Sequence, residues 1–167
     1  SQNSETNHYL KRLNVKNIQS IGNMKFIEDD NIKSDKSDKK LFSQFKKYKT
    51  FIAASTHETE ELFAAKTHIL LKKKNKNIIT IIIPRHINRV KQIIAEINEL
   101  GLNVVSRSSK KLKLKDIDIF IVDTFGETKK FYKFATTVFL GKSIIKGGGQ
   151  NPLEPARFGA KILHGPD

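Results

Sequence analysis

The chain has 167 residues, 38% of them hydrophobic, no cysteine and a formal net charge of +14. This length supports one domain with a real core, the missing cysteine excludes disulfides and thiolate metal sites, and no apolar run approaches the ~18 residues of a membrane span or looks like a signal peptide. The charge invites a polyanionic partner, nucleic acid or acidic lipid head groups, but only five of the 31 basic residues are arginine and the charge is spread over the whole length, a bias that genome composition also produces.

In chain order, residues 4–13 read as a short helix with Ser4 as cap, and 16–21 as a short strand leading to Gly22. Residues 28–40 are charged and free of aromatics, the composition of a linker or loop. An alternating series follows. Lys49 to Ala54 reads as a strand and 58–73 as a helix; Asn77 to Ile83 is a β-branched run, the mark of a strand covered on both faces. Helix 87–100 places Ile87, Val90, Ile94, Ile97 and Leu100 at 3–4 spacing before Gly101. Strands are expected at 102–105, 117–122 and 136–140, a helix at 127–134, a helix near 152–159 and a last strand from 161. The predicted fold class is therefore α/β, a Rossmann-like parallel sheet flanked by helices. The chain starts at Ser1 and stops at Asp167 just after a short apolar run, as expected of a fragment of a longer protein.

In parallel sheets ligands sit beyond the carboxyl ends of the strands, so the residues that follow strands are the ones to weigh. Ser55 and Thr56 follow the first strand and serve either as helix caps or as anion contacts. Pro84 and Arg85 follow the β-branched run; a guanidinium on a strand end suits phosphate or carboxylate, and a cation there opposes the dipole of a following helix. Asp123, Gly126 and Glu127 follow the 117–122 strand, as caps or as ribose and acid–base groups. Gly147, Gly148 and Gly149 then open into Asn151, Pro152 and Glu154. Glycines let a ligand approach the main chain, and a helix start offers free N–H groups to phosphate. The plain alternative is a helix capped by Asn151 with Pro152 at its first position, or one beginning nearer Glu154, since Pro155 lacks an N–H.

Other motifs fail. Gly141-Lys142-Ser143 ends like a P-loop, but position 136 is Thr rather than Gly. The histidines at 8, 57, 68, 86 and 164 lack zinc spacing, and no nucleophilic triad is evident.

Taken in series, Ala53 to Glu61, Ile83-Pro84-Arg85-His86, Val122 to Glu127, Phe139-Leu140-Gly141-Lys142-Ser143, Gly148 to Ala156, Phe158-Gly159 and His164-Gly165-Pro166 resemble the C-terminal half of the Kdo transferases. These enzymes move 3-deoxy-D-manno-octulosonic acid (Kdo) in the lipopolysaccharide synthesis of Gram-negative bacteria. The stretch Gly148-Gly149-Gln150-Asn151-Pro152-Leu153-Glu154 is the most specific piece, and one departure is Thr59, where the family's run has Gly. The resemblance implies the C-terminal half of a GT-B fold, with residues 1–27 as a crossover segment, 28–40 as linker and 41–167 as a nucleotide-sugar domain incomplete at its end. It implies a CMP-Kdo donor held by Ser55, Thr56, Pro84, Arg85, Gly126, Glu127, Gly148, Gly149, Asn151 and Glu154. It also implies a lipid A precursor as acceptor, an inverting reaction without metal or cofactor, and a catalytic base in an N-terminal domain that this chain does not contain. The full enzyme would lie on the cytoplasmic side of the inner membrane, with the fragment soluble and inactive alone and no nucleic acid as partner. The competing expectations are a GT-B enzyme using a UDP-sugar and a basic nucleic-acid-binding domain. The latter has weak support, because the eleven Phe and three Tyr fall mostly at core-like positions rather than between lysines.

Overall fold

The run Ile78–Pro84 is buried along its entire length, as its β-branched composition requires. In the computed structural model, which describes residues 1–22, 36–109, 113–145 and 148–167, this run is strand β2. The chain divides into two units, Ser1–Ile32 and Lys33–Asp167.

In the first unit, helix α1 spans Ser4–Arg12. Its cap is Asn3 rather than Ser4: Asn3 Oδ1 accepts from Thr6 N–H at 2.8 Å, the geometry that amide side chains supply well. The strand expected at 16–21 does not form. No neighbouring strand is paired with it among the described residues, and Ile21 N–H instead reaches back to Ser1 O at 3.0 Å.

In the second unit, α2 (Lys36–Phe45), β1 (Lys49–Thr56), α3 (Glu60–Lys74), β2, a 3-10 turn (Ile87–Arg89), α4 (Val90–Glu99), β3 (Val104–Ser106), β4 (Ile119–Ile121), α5 (Thr128–Tyr132), β5 (Thr137–Leu140), α6 (Leu153–Arg157) and β6 (Lys161–Leu163) follow in order. Of the linker expected at 28–40, residues up to 35 lie outside the described ones, and 36–40 are helix, the first half of α2. The charged half of that helix is held from far along the chain: Asp38 is buried and takes ion pairs from Arg107 and from Lys130, the latter at 2.8 Å.

The strands form one six-stranded sheet in the order β3-β4-β2-β1-β5-β6, every pairing parallel. Alternation along each strand divides the core between two faces. Ile52 and Ala54 of β1 point with Ile79, Ile81 and Phe120 toward Phe45 of α2 and Phe131 of α5. Phe51 and Ala53 point with Ile78, Ile82 and Ile119 toward α3 and α4. Each fully buried isoleucine contributes about 1.5–3 kcal/mol by leaving water. The strand order reverses at β1, with β2 to β4 on one side and β5 and β6 on the other. In sheets of this kind ligands are received at such a reversal, beyond the carboxyl ends of the strands that flank it, here β1 and β5.

Candidate functional site

β1 does not end as a plain strand. Ser55 takes φ 55° and breaks the register with β2 between Ala54 and Thr56. Gly141, just past β5, packs onto this bulge so closely that a Cβ there would lie 2.4 Å from Ser55 O. Only glycine fits a backbone approach of that kind. Gly141 N–H also donates to Ala54 O at 2.8 Å. The Gly-Lys-Ser sequence is thus a tight β5 exit, not a phosphate loop.

Glu60, the first residue of α3, ties the exits of β1 and β5 together. Its carboxylate is fully buried. Oε2 accepts from His57 N–H at 2.9 Å and Lys142 N–H at 2.8 Å; Oε1 accepts from Ser143 N–H at 3.2 Å and Ile144 N–H at 3.3 Å. One anion therefore satisfies four main-chain donors from the exits of β1 and β5. The preceding residue, Thr59, lies in the left-handed region at φ 75° and makes no side-chain cap. A β-branched residue there is strained.

Along the sheet edge the expected residues fall in the order of the strands. Gly126 and Glu127 follow β4, Pro84 and Arg85 end β2 and its exit, Ser55 and Thr56 end β1, and Gly148, Gly149, Asn151 and Glu154 follow β5. Gly147 lies outside the described residues. The span from β4 to β5 covers three interstrand steps, about 14 Å. Adjacent pieces are tied directly: Arg85 N–H donates to Thr56 O at 3.0 Å. A Cβ on Gly149 would lie 3.9 Å from Ser143 Cβ and 3.0 Å from Asp167 O. Gly149, Gln150 and Pro152 line a cavity of about 320 Å³ together with Leu140, His164 and Asp167.

The side chains differ in availability. The Arg85 guanidinium is exposed and has no hydrogen bond or ion pair among the described residues. Thr56 is buried and its hydroxyl donates to Glu61 Oε1 at 3.0 Å, leaving Ser55 as the partly exposed member of the pair. Glu61 is itself buried against Arg89, 3.2 Å away; burial raises its pKa more than Arg89 and Thr56 lower it. Glu127 accepts from Arg107 Nε at 3.0 Å, from Lys130 Nζ at 3.0 Å and from the Thr124 hydroxyl. Burial works against ionisation, but these donors outweigh it and hold the carboxyl at about 2 instead of 4.5. Glu127 is a permanent anion whose oxygens are largely spent on the Arg107 and Lys130 cluster. Asn151 Oδ1 accepts from Leu153 N–H at 3.1 Å, a turn just ahead of α6; the helix begins at Leu153, so its N-cap is Pro152 rather than Asn151 and it has no side-chain cap. Glu154 is half-buried near Tyr132, whose hydroxyl pKa is driven up by burial and by that carboxylate.

Sequence reasoning passed over Glu60, Arg107 and Asp38. Their decisive partners are remote, Ser143 and Ile144 lying 83 and 84 residues from Glu60 and Arg107 lying 69 from Asp38, so local spacing does not reveal them. The arrangement Thr80–His68–Asp118, with 2.9 Å and 3.3 Å contacts, looks like a nucleophilic relay but is sealed: all three are buried, and Asp118 also takes Lys72 and Asn103 N–H. Among the described residues no three His, Asp or Glu side chains gather as a metal site, and no helix is long and apolar enough to cross a membrane.

No family model matches the chain. The curated 3-deoxy-D-manno-octulosonic acid transferase of Rickettsia felis is 35% identical over 158 residues, 95% of this chain and 34% of that protein. The protein of the same name from Haemophilus influenzae is 31% identical over 115 residues, 69% of this chain and 27% of that protein. This chain is a relative of the Kdo transferases. It spans about a third of the length of the Kdo transferases it matches. Among solved structures, the C-terminal CMP-Kdo binding domain of WaaA from Acinetobacter baumannii superposes with a TM-score of 0.71 at 25% identity, covering 78% of this chain and 69% of that one. The α/β architecture expected from the alternating strands and helices is therefore the architecture of the Kdo transferase C-terminal domain.

Proposed function

We propose that this chain is the donor-binding part of a Kdo transferase, holding CMP-Kdo at the carboxyl edge of its sheet. Arg85 carries the reading: it is a guanidinium with no partner among the described residues, on the strand exit next to the point where the strand order reverses, in a chain related to Kdo transferases. The solved neighbour's description as CMP-Kdo binding supports the same donor. Arg89 and Arg107, by contrast, are committed to Glu61 and to Asp38 and Glu127.

The chemistry matches that assignment. CMP-Kdo carries a phosphodiester and a sugar carboxylate. As the glycosidic bond to CMP breaks, charge accumulates on the departing phosphate while the anomeric carbon becomes cation-like. Arg85 and the main-chain N–H groups around Gly148 and Gly149 stabilise that phosphate, and preorganised donors of this kind are each worth about 3 kcal/mol. Ser55 serves the donor's anionic end, while Asn151 and Glu154 serve the ribose. Gly126 lines the nucleotide pocket, and Glu127 reaches it as part of its ion cluster. In this reading residues 1–27 are the crossover from a second domain. The base that activates the lipid A acceptor belongs to that second domain, transfer inverts the anomeric centre without a metal, and the whole enzyme works at the cytoplasmic face of the inner membrane.

Calorimetric titration of the 167-residue chain with CMP and with UDP tests this. CMP is expected to bind more tightly, and Arg85→Ala to weaken it about 10- to 150-fold, the range for one charge-assisted hydrogen bond. Tighter binding of UDP, or an unchanged Arg85→Ala, contradicts the proposal. Sugar transfer by this chain alone would contradict the placement of the base.

A further inference from the structure

Among the described residues a single buried side-chain nitrogen or oxygen has no hydrogen-bond partner: Nε2 of His57. Native interiors leave few such atoms, and each calls for a physical reason. His57 is the first residue beyond β1, on the edge that carries Arg85. Its main chain is fixed, with N–H donating to Glu60 Oε2 at 2.9 Å. The ring therefore stands on a rigid base at that edge rather than on a mobile loop.

The groups that face this imidazole come from three elements and their exits. Glu60 opens α3, Arg85 and His86 follow β2, and Lys142 follows β5. Burial is the largest influence and lowers the pKa of His57; Glu60 opposes it, and His86, Lys142 and Arg85 reinforce it. The ring is accordingly neutral near pH 7, with one N–H to give. Its packed neighbour is the His86 ring, 5.5 Å away at 88°. That ring is exposed and has no hydrogen bond among the described residues, so it is free to turn aside.

We infer that His57 Nε2–H is a recognition group for the donor, hydrogen-bonding an anionic oxygen of the bound nucleotide once the His86 ring has moved. This inference rests on the donor-site reading above. A neutral imidazole N–H pairs with an oxygen acceptor, and the cations at 85 and 142 favour an acceptor that bears negative charge. Glu60 cannot take this role, because its carboxylate has no proton to give and both of its oxygens already accept main-chain N–H groups.

The test uses the 167-residue chain labelled with nitrogen-15 and follows its histidine ring signals at pH 8. Saturating CMP is expected to shift the Nε2 signal of His57, whereas cytidine without phosphate leaves it in place. His57→Gln, whose side-chain amide reaches a similar position, is expected to bind CMP within about threefold of the parent. His57→Phe, which keeps a ring and loses the nitrogen, is expected to bind about tenfold more weakly, the loss of one hydrogen bond. CMP binding with an unmoved His57 signal overturns the inference and leaves Nε2 merely shielded by His86. The ring signal is read on the parent chain, so this outcome decides the matter even where a variant fails to fold. Absence of CMP binding overturns both the inference and the reading beneath it.

Discussion

Glu60→Gln separates the tie between the strand exits from the ligand chemistry. The parent carboxylate accepts four main-chain N–H groups, two on each oxygen. A glutamine keeps one acceptor oxygen and turns an NH2 toward the other two donors. The favoured orientation sacrifices Ser143 and Ile144, because Ile144 is exposed and water replaces part of what its N–H loses. Each buried N–H left unpaired costs about 1–3 kcal/mol, so we expect a loss of about 2–4 kcal/mol, a large share of the ~5–15 kcal/mol that holds a domain together. Urea unfolding followed by far-ultraviolet circular dichroism reads this directly. With a slope of about 2 kcal/mol/M, the middle of the urea range, the midpoint falls by about 1–2 M while the slope stays constant. Glu58→Gln is the control: its side chain is exposed, and its expected effect is below about 0.5 kcal/mol. If Glu60→Gln unfolds at the same urea concentration as Glu58→Gln, the carboxylate is not what joins the two strand exits.

Thr59→Gly is expected to stabilise the chain by about 0.5–1 kcal/mol in the same assay, because a left-handed backbone costs an L-residue about 1–2 kcal/mol and glycine returns part of that gain as entropy; a loss of stability would show that the Thr59 side chain makes a contact worth more than its strain. Glu127 predicts acid sensitivity. Its folded pKa of about 2 lies below the ordinary 4.5, so its contribution is complete above about pH 5 and disappears as pH falls toward 2. Urea midpoints of the parent should drop over that window, and Glu127→Gln should flatten the drop; an equally steep fall in the variant would rule out this carboxyl as its source. Arg85→Ala should leave the unfolding free energy within about 0.5 kcal/mol of the parent, since that guanidinium has no partner among the described residues, and a large loss of stability would mean that its role is structural.

The sheet was legible because its strands carry their own signal. The β-branched run from Asn77 to Ile83 reads as a doubly covered strand from composition alone and forms Ile78–Pro84; the 3–4 apolar spacing over 87–100 marks a helix that forms as a 3-10 turn at Ile87–Arg89 and an α-helix at Val90–Glu99. The order of the strands, and hence the reversal at β1, depends on pairing between segments far apart and has no local trace. α2 shows the same limit. Its charged half, with Asp38, resembles solvated linker until Arg107 and Lys130 arrive from 69 and 92 residues away. At the site, the strand-end rule picked out residues that lie along one edge of the sheet. It gave no hint that Thr56 is turned inward to Glu61 or that Glu127 is engaged by Arg107. Hydroxyls and carboxylates at strand ends look alike in sequence whether they face a ligand or a buried partner. Thr59 was visible only as a departure from a family pattern; its positive φ explains why glycine belongs there.

Mapping amide shifts of the 167-residue chain during CMP titration tests the central claim most directly. The account predicts that the largest changes cluster at residues 55–57, 84–86, 141–143 and 148–151, one edge of the sheet. Changes concentrated instead at the opposite edge, around the lysine-rimmed cavity of about 410 Å³ between Lys72, Lys76 and Leu102, would contradict it.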